Sequence, residues 1–350
     1  MKSSPAPLGF GIIGTGMIAG YHAKAIAQVT GARLVGAASL TADNVRTFAE
    51  KHQLGFWTTK AEELVARPDI HVVCVTTPSG VHLDPALAAI RAGKHVVIEK
   101  PLEVTTARAD RILDAADQAG VRVCPIFQAR FGQGARTLKA AIDAGRFGRI
   151  AVASAYVKWY RAPAYYTGWK GKLALDGGGA LINQAIHGLD LLQWFAGLPE
   201  EVSAYKTRVV HRGIEGEDTA VAALRYPSGA LGTLEASTAC WPGWSRKIEI
   251  CGETGSVALE DDHLARWEFK DAQPGDDEIR NAKVDPSMRS GAGSATAISY
   301  EGHLRQIQDL VDALRDRRPL AIEGREGRKA VALVNAVYQS AEQGRPVRVA

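Results

Sequence analysis

The apolar pattern of this chain changes its period near residue 150. Before that point, "LGFGII", "ARLVGAAS", "IHVVCVTTP", "HVVIEKP" and "VRVCPIF" hold short apolar runs with no polar face. Such runs are expected of strands covered on both sides. Between them lie segments of helical period. "TFAEKHQL" ends one helix, "AEELVA" is a short one, and "HLDPALAAIRAGK" and "TARADRILDAADQAG" close at Gly93 and Gly120. Strands alternating with helices predict a parallel, doubly wound sheet. In such a sheet the carboxyl ends of the strands face one crevice.

After "GRFGRI" the period becomes two. Segments 151–160, 201–210, 218–226, 229–238, 245–253 and 255–261 alternate apolar and polar residues, which predicts antiparallel strands with one polar face. "YPSGA" reads as a hairpin turn. Residues 270–299, polar and rich in Gly, Ala and Pro, read as a long loop. The fold class is therefore α/β plus α+β. A doubly wound parallel domain spans 1–126. A substrate-binding and oligomerisation domain with a broad, mostly antiparallel open-faced sheet spans 127–350, its last helices able to pack back on the first domain. A length of 350 residues allows two cores.

The turn after the first strand reads Gly14-x-Gly16-x-x-Ala19, the dinucleotide fingerprint of a Rossmann domain. Gly14 permits the tight turn, Gly16 lets the backbone approach a pyrophosphate, and Ala19 allows close helix–strand packing. Met17 and Ile18 open the helix whose N-terminus faces the negative charge. The second strand ends in Ser39, where NAD-binding domains place an acidic residue. That absence removes repulsion against a 2′-phosphate and favours NADP over NAD. Thr76, Thr77, Pro78, Glu99, Lys100 and Gln128 all fall at strand carboxyl ends, so they join the predicted cofactor crevice, with His82 close behind.

Charge and cysteine content narrow the picture. The surplus of +4 is small and dispersed, and Arg315, Arg317 and Arg318 read as a solvated helix end, so no nucleic-acid partner is expected. Cys74 and Cys124 sit in apolar runs, and none of the four cysteines forms a CxxC pair, so free thiols are expected. "MKSSPAPLGFGIIG" reads as a short tail, and no apolar run reaches the roughly 18 residues of a membrane span, so a cytoplasmic location is expected. No metal-ligand spacing stands out.

The second domain carries its own chemistry. A helix is predicted over about 179–196, closed by Gly197 and Pro199. Asn183, His187, Asp190 and Trp194 share one stripe of it. Amide, imidazole and carboxylate suit sugar hydroxyls and a proton acceptor. Asp190 either orients His187 or is a solvated helix residue. Gly177 to Gly179 give room for a turn or for a ligand to approach. Trp169, between the first strand and this helix, is a candidate platform for a sugar face.

With these motifs in place, "TTPSGVH" at 76–82, "AGKHVVIEKPLEVT" at 92–105 and "FQARF" at 127–131 resemble the glucose–fructose oxidoreductase / inositol dehydrogenase / rhizopine-catabolism (Gfo/Idh/MocA) family, in order and spacing over nearly the whole chain. The resemblance implies that Lys100 is the catalytic lysine, that Glu99 and Thr77 lie near the nicotinamide ribose, and that the bond before Pro101 is often cis. It implies a homodimer or homotetramer formed through the second sheet. Many relatives read Asp-x-x-x-His where this chain has Asn183-x-x-x-His187. An amide is no base at neutral pH, so His187, with an unperturbed pKa of about 6.5, becomes the expected general base. The implied activity is hydride transfer between NAD(P) and a secondary alcohol or ketone of a sugar or cyclitol, with Lys100, Trp169, Asn183, His187 and Asp190 on the substrate. The alternatives are a non-catalytic sugar sensor, or a reductase of the dihydrodiol or biliverdin type.

Overall fold

The computed structural model describes residues 6–283, 291–294 and 299–350; the start of the N-terminal tail and parts of the 270–299 segment lie outside the described residues. The chain divides into two compact units: Met1–Gln128 with Tyr300–Arg328, and Ala129–Ser299 with Lys329–Ala350.

The first unit alternates as its apolar runs predict. It contains β1 (Leu8–Ile13), α1 (Met17–Ile26), β2 (Ala32–Ala38), α2 (Ala42–Lys51), β3 (Phe56–Thr58), α3 (Ala61–Val65), β4 (Val72–Val75), α4 (Leu83–Arg91), β5 (His95–Ile98), α5 (Thr106–Ala119) and β6 (Val123–Pro125). All six strands are parallel, in the order β3-β2-β1-β4-β5-β6. The chain leaves β1 in one direction and returns to β4 on its other side, so the switch point lies between β1 and β4. Every residue of β4 is buried, which is why it carries no polar alternation. Gly120 closes α5 in the left-handed region at φ +66°, and the Thr105 hydroxyl accepts the Arg108 N–H at its start. Strand β3 has three residues, too few for a periodic signal.

The second unit begins with α6 (Gln133–Asp143), β7 (Ile150–Lys158) and α7 (Leu173–Asp176). The predicted helix over 179–196 is two elements: a π-helical segment, Ala180–Ala185, continues into α8 (Ile186–Ala196). Then come β8 (Glu201–Thr207), β9 (Thr219–Arg225), β10 (Leu231–Ser237), β11 (Lys247–Gly252), β12 (Gly255–Glu260), β13 (His263–Phe269) and α9 (Asp276–Arg280); after α10 (Glu301–Asp316), which belongs to the first unit, follow α11 (Gly324–Gln343) and β14 (Val347–Arg348). The sheet order is β13-β12-β11-β7-β10-β9-β8-β14. Its pairs are antiparallel except β7 with β10. A parallel neighbour needs a crossover, and the helical passage between β7 and β8 supplies one. Helix α8 packs on β7 and β11. Strand β9 alternates buried and exposed residues, as period two requires. Strand β13 and the short α9, which falls within the predicted loop, escaped the sequence reading.

Helix α10 returns to the first unit. Its Ile307, Leu310, Val311 and Ala313 join Phe10, Ile12, Ala19 and Ile26 in one buried cluster. Among the described residues, no helix is long and apolar enough to cross a membrane. Cys74 and Cys124 are buried free thiols, and burial pushes Cys124 up to about 12; Cys240 and Cys251 are half-buried.

Candidate active site

The first unit supplies a glycine turn after β1 and a lysine after β5, two strands away in the same sheet. Gly14 has φ +94°, and a Cβ there would stand 2.9 Å from the Thr76 and Thr77 backbone. Only glycine fits, as the fingerprint requires. The Thr76 hydroxyl donates to the Gly14 carbonyl at 2.7 Å, so this side chain braces the turn from inside. A Cβ on Gly16 would meet nothing within 4 Å, which leaves its backbone approachable from outside. Met17 and Ile18 open α1 directly after it. Two buried polar atoms at strand carboxyl ends of this unit have no hydrogen-bond partner: Thr15 Oγ1 after β1 and Gln128 Oε1 after β6. An open glycine cradle and an orphaned buried acceptor suit a dinucleotide carrying a pyrophosphate and a carboxamide.

Lys100 follows β5, beside β4, and is half-buried. The Lys100–Pro101 bond is cis. Glu103 lies beneath this segment, fully buried, with Arg108 gripping its carboxylate at 2.7 and 2.9 Å. It also accepts the Leu83 and Val104 N–H groups. Two residues expected above at the cofactor make side-chain contacts inside this unit. The His82 ring nitrogens lie 2.9 Å from the Pro101 carbonyl and 3.0 Å from that of Thr77. Glu99 turns its carboxylate onto His22 and His303. Thr77 Oγ1 donates to Val81 O at 3.3 Å. Pro78 is half-buried, and so is Ser39, behind β2. Arg46, a possible contact for a 2′-phosphate, is exposed and paired with Asp43 at 2.6 Å.

The second unit holds a polar network at the π-helical turn. Asn183 is buried and donates from Nδ2 to Asp176, a carboxylate seven residues upstream. Its Oδ1 accepts from Tyr165 at 3.2 Å and from Gln184 at 2.9 Å. Gln184 Oε1 in turn accepts from Arg161 at 2.9 Å. The amide orientation follows from this network, because a carboxylate only accepts. Burial pushes Tyr166 up to about 12 and Tyr165 higher still, so both hydroxyls stay protonated near neutrality. Tyr166 donates to Thr238 Oγ1 at 2.8 Å.

His187 opens α8 half-buried, one turn beyond Asn183. Asp190 is not a solvated helix residue: it is wholly buried, and Arg130 forks onto its two oxygens at 2.6 and 2.8 Å. A bidentate pair of that kind fixes α8 to the Gln128–Phe131 turn. Trp194 continues the stripe, with the Arg130 guanidinium 5.2 Å from its ring centroid. Trp169 is half-buried, with Lys170 Nζ 6.0 Å from its ring. The space beside Gly178 and Gly179 is filled by protein. A Cβ would meet the Tyr338 hydroxyl at 2.1 Å and the Glu217 carbonyl at 1.8 Å, so the glycines serve a close backbone crossing. Glu217 accepts the N–H groups of Gly179 and Leu181, and burial raises its carboxyl. Asp176, Glu217 and Tyr338 carry no local motif, which is why sequence reasoning missed them.

Two family profiles match the chain. Residues 8–127 match the profile of an oxidoreductase family with an NAD-binding Rossmann fold, and residues 135–258 match a GFO/IDH/MocA C-terminal domain. The chain is 26% identical to myo-inositol 2-dehydrogenase of Thermotoga maritima, over 97% of this chain and 98% of that one. It is 32% identical to 1,5-anhydro-D-fructose reductase of Ensifer adhaerens, over 63% and 67%. It is also similar to the WlbA dehydrogenase of Bordetella pertussis, whose structure holds NADH and UDP-GlcNAcA: TM-score 0.89, identity 32%, with 99% of each chain covered. The leaning toward NADP finds no support here, since the matched profile is NAD-binding and that relative carries NADH.

Proposed function

The chain belongs to the GFO/IDH/MocA oxidoreductases, and from that premise we propose that it is an NAD-dependent dehydrogenase acting on a secondary alcohol of a sugar, cyclitol or sugar derivative. The observation that carries this reading is the Gly14–Gly16 turn with Lys100 two strands away on the same sheet edge. A bound nicotinamide dinucleotide would supply the hydride acceptor; Gly14, Gly16 and the α1 N-terminus would hold its pyrophosphate, and Gln128 would line the same crevice.

The remaining chemistry falls to side chains. Lys100 donates a hydrogen bond to the reacting oxygen and stabilises the alkoxide as its proton leaves. His187 accepts that proton. Asn183, whose amide is fixed by Asp176 and Tyr165, orients a hydroxyl and takes no proton. Trp169 offers a face to the sugar ring. Reduction of the matching ketone runs the same steps backwards.

The same reading extends to assembly. Val152, Tyr205, Val221 and Leu231 are exposed on neighbouring strands of the second sheet. They form the apolar centre of a face suited to a second copy of the chain.

The test is absorbance of the reduced nicotinamide, with NAD and NADP in parallel for the alcohols and their reduced forms for the ketone. The panel holds myo-inositol, 1,5-anhydro-D-fructose, free hexoses and UDP-GlcNAcA, each beside Lys100→Ala. Turnover with NAD that disappears in the variant is expected. Cofactor binding without turnover of any panel member would favour a sensor. Failure to bind either cofactor would sink the reading.

A further inference from the structure

Behind Lys100 lies a cluster that the reaction does not use directly. Glu99 Oε1 is 2.8 Å from His22 Nε2 and 3.1 Å from His303 Nε2. Both rings are wholly buried, and Glu99 is 5% exposed. The rings meet edge to face, with centroids 5.2 Å apart. Glu99 Oε2 accepts the backbone N–H of Lys100 at 3.2 Å.

The chemistry of the donors fixes their protons. An ionised carboxylate only accepts hydrogen bonds, so both Nε2 atoms carry hydrogen. Each Nδ1 is then a bare lone pair, and both are buried without a partner. Unsatisfied buried polar atoms are costly, and two apolar residues of the same size would fill the space without that cost. Burial alone would raise the Glu99 carboxyl, but the two imidazole hydrogen bonds outweigh it and hold the group well below the usual range. The cluster thus keeps a charge inside the core, one residue from Lys100. It joins α1, which starts at the glycine turn, to the end of β5 and to α10.

We propose that His22 and His303 are positioning residues: through the Glu99 carboxylate they hold the Lys100 main chain in the place the reaction needs. The functional half of this inference rests on Lys100 being catalytic, as proposed above; the structural half does not. The three ligand atoms lie within 4.8 Å of one another, a spacing that a cation could also use. A cation would require lone pairs on both Nε2 atoms, which carry protons in the hydrogen-bonded arrangement.

The experiment compares His22→Leu and His303→Leu with His22→Gln and His303→Gln. Leucine removes the donor and keeps the bulk. Glutamine returns an amide N–H at a similar reach. Hydrogen–deuterium exchange of the Lys100 amide needs no substrate. It is expected to rise about tenfold or more in the leucine variants and to stay within about threefold of native in the glutamine variants. On whichever panel substrate is turned over, kcat should fall about tenfold in the leucine variants, with KM and the NADH Kd within about twofold. Should a leucine variant fail to fold, Glu99→Gln makes the same test at constant volume, and faster Lys100 exchange is expected. Native exchange at Lys100 in the leucine variants or in Glu99→Gln would overturn the proposal. So would equal losses in the leucine and glutamine pairs, or one equivalent of zinc bound to the native protein and released by either leucine variant. If Lys100→Ala keeps its turnover, the catalytic reading fails, while the exchange result still decides the clamp.

Discussion

The two sheets solve opposite problems. In the first, β4 and the apolar part of β5 are buried on both faces, and the candidate residues collect where strands end: at Gly14, at Thr76, at Lys100. In the second, strands such as β9 expose every other residue, and the candidate groups stand on the helical segment that crosses between β7 and β8. A parallel sheet offers a crevice by topology alone. An antiparallel sheet offers only a platform, so its chemistry has to be assembled from side chains that brace one another.

That contrast can be broken at several points, the largest first. Lys100→Ala should lower kcat by about 10³- to 10⁴-fold and leave NADH affinity nearly unchanged in a fluorescence titration. A fall in affinity instead of rate would make Lys100 a binding residue. Asp190→Ala should destabilise the protein by about 3–5 kcal/mol in urea unfolding, because the buried Arg130 guanidinium loses its bidentate carboxylate. A loss under about 1 kcal/mol would show the pair to be solvated.

Gly14→Ala should cost about 1–2 kcal/mol from its left-handed backbone and more from the clash with Thr76. Weaker NADH binding is expected with it. A variant of native affinity would mean that the turn is scaffolding only.

A smaller effect follows from pH. Asp276 is gripped by Arg146 at 2.8 and 2.9 Å and by the Trp267 N–H, which holds its carboxyl well below the usual range. Its folded pKa lies below its unfolded value of about 3.9. Its stabilisation is therefore complete above that value and is lost as pH falls below it. Asp276→Asn should flatten the acid limb of a melting-temperature profile; an unchanged acid limb would remove Asp276 from that role. The smallest change in chain stability, within about 0.5 kcal/mol, is expected from Tyr205→Ser on the exposed face. The same substitution should shift the species seen by light scattering toward monomer, and an unchanged mass would retire the sheet as an interface.

The same contrast explains what could be read in the sequence. Gly14, Gly16 and the position of Lys100 were legible because backbone geometry demands particular residue types at fixed spacing. The strand alternation from 151 to 261 was legible for the same reason, apart from the parallel β7–β10 pair, which depends on a crossover that no local period records. Where the His82 and Glu99 side chains point was not legible, because His22, His303 and the Pro101 carbonyl that they meet are set by the fold and not by a local pattern. Asp176 meets Asn183 across the break where α7 ends at Gly177, a turn back of the chain that no local period records. Tyr338 reaches Gly179 and Glu217 from the far end of the sequence.

The return of α10 to the first unit also has a consequence for biosynthesis. The cluster around Phe10 and Ile26 includes Ile307, Leu310, Val311 and Leu320, so it cannot be completed until those residues leave the ribosome. All of 129–299 is made in between. At about 5–20 residues per second, that interval is on the order of ten seconds. Throughout it, the nascent dinucleotide domain carries an uncovered apolar surface, which makes it the part of the chain that a chaperone would have to shield.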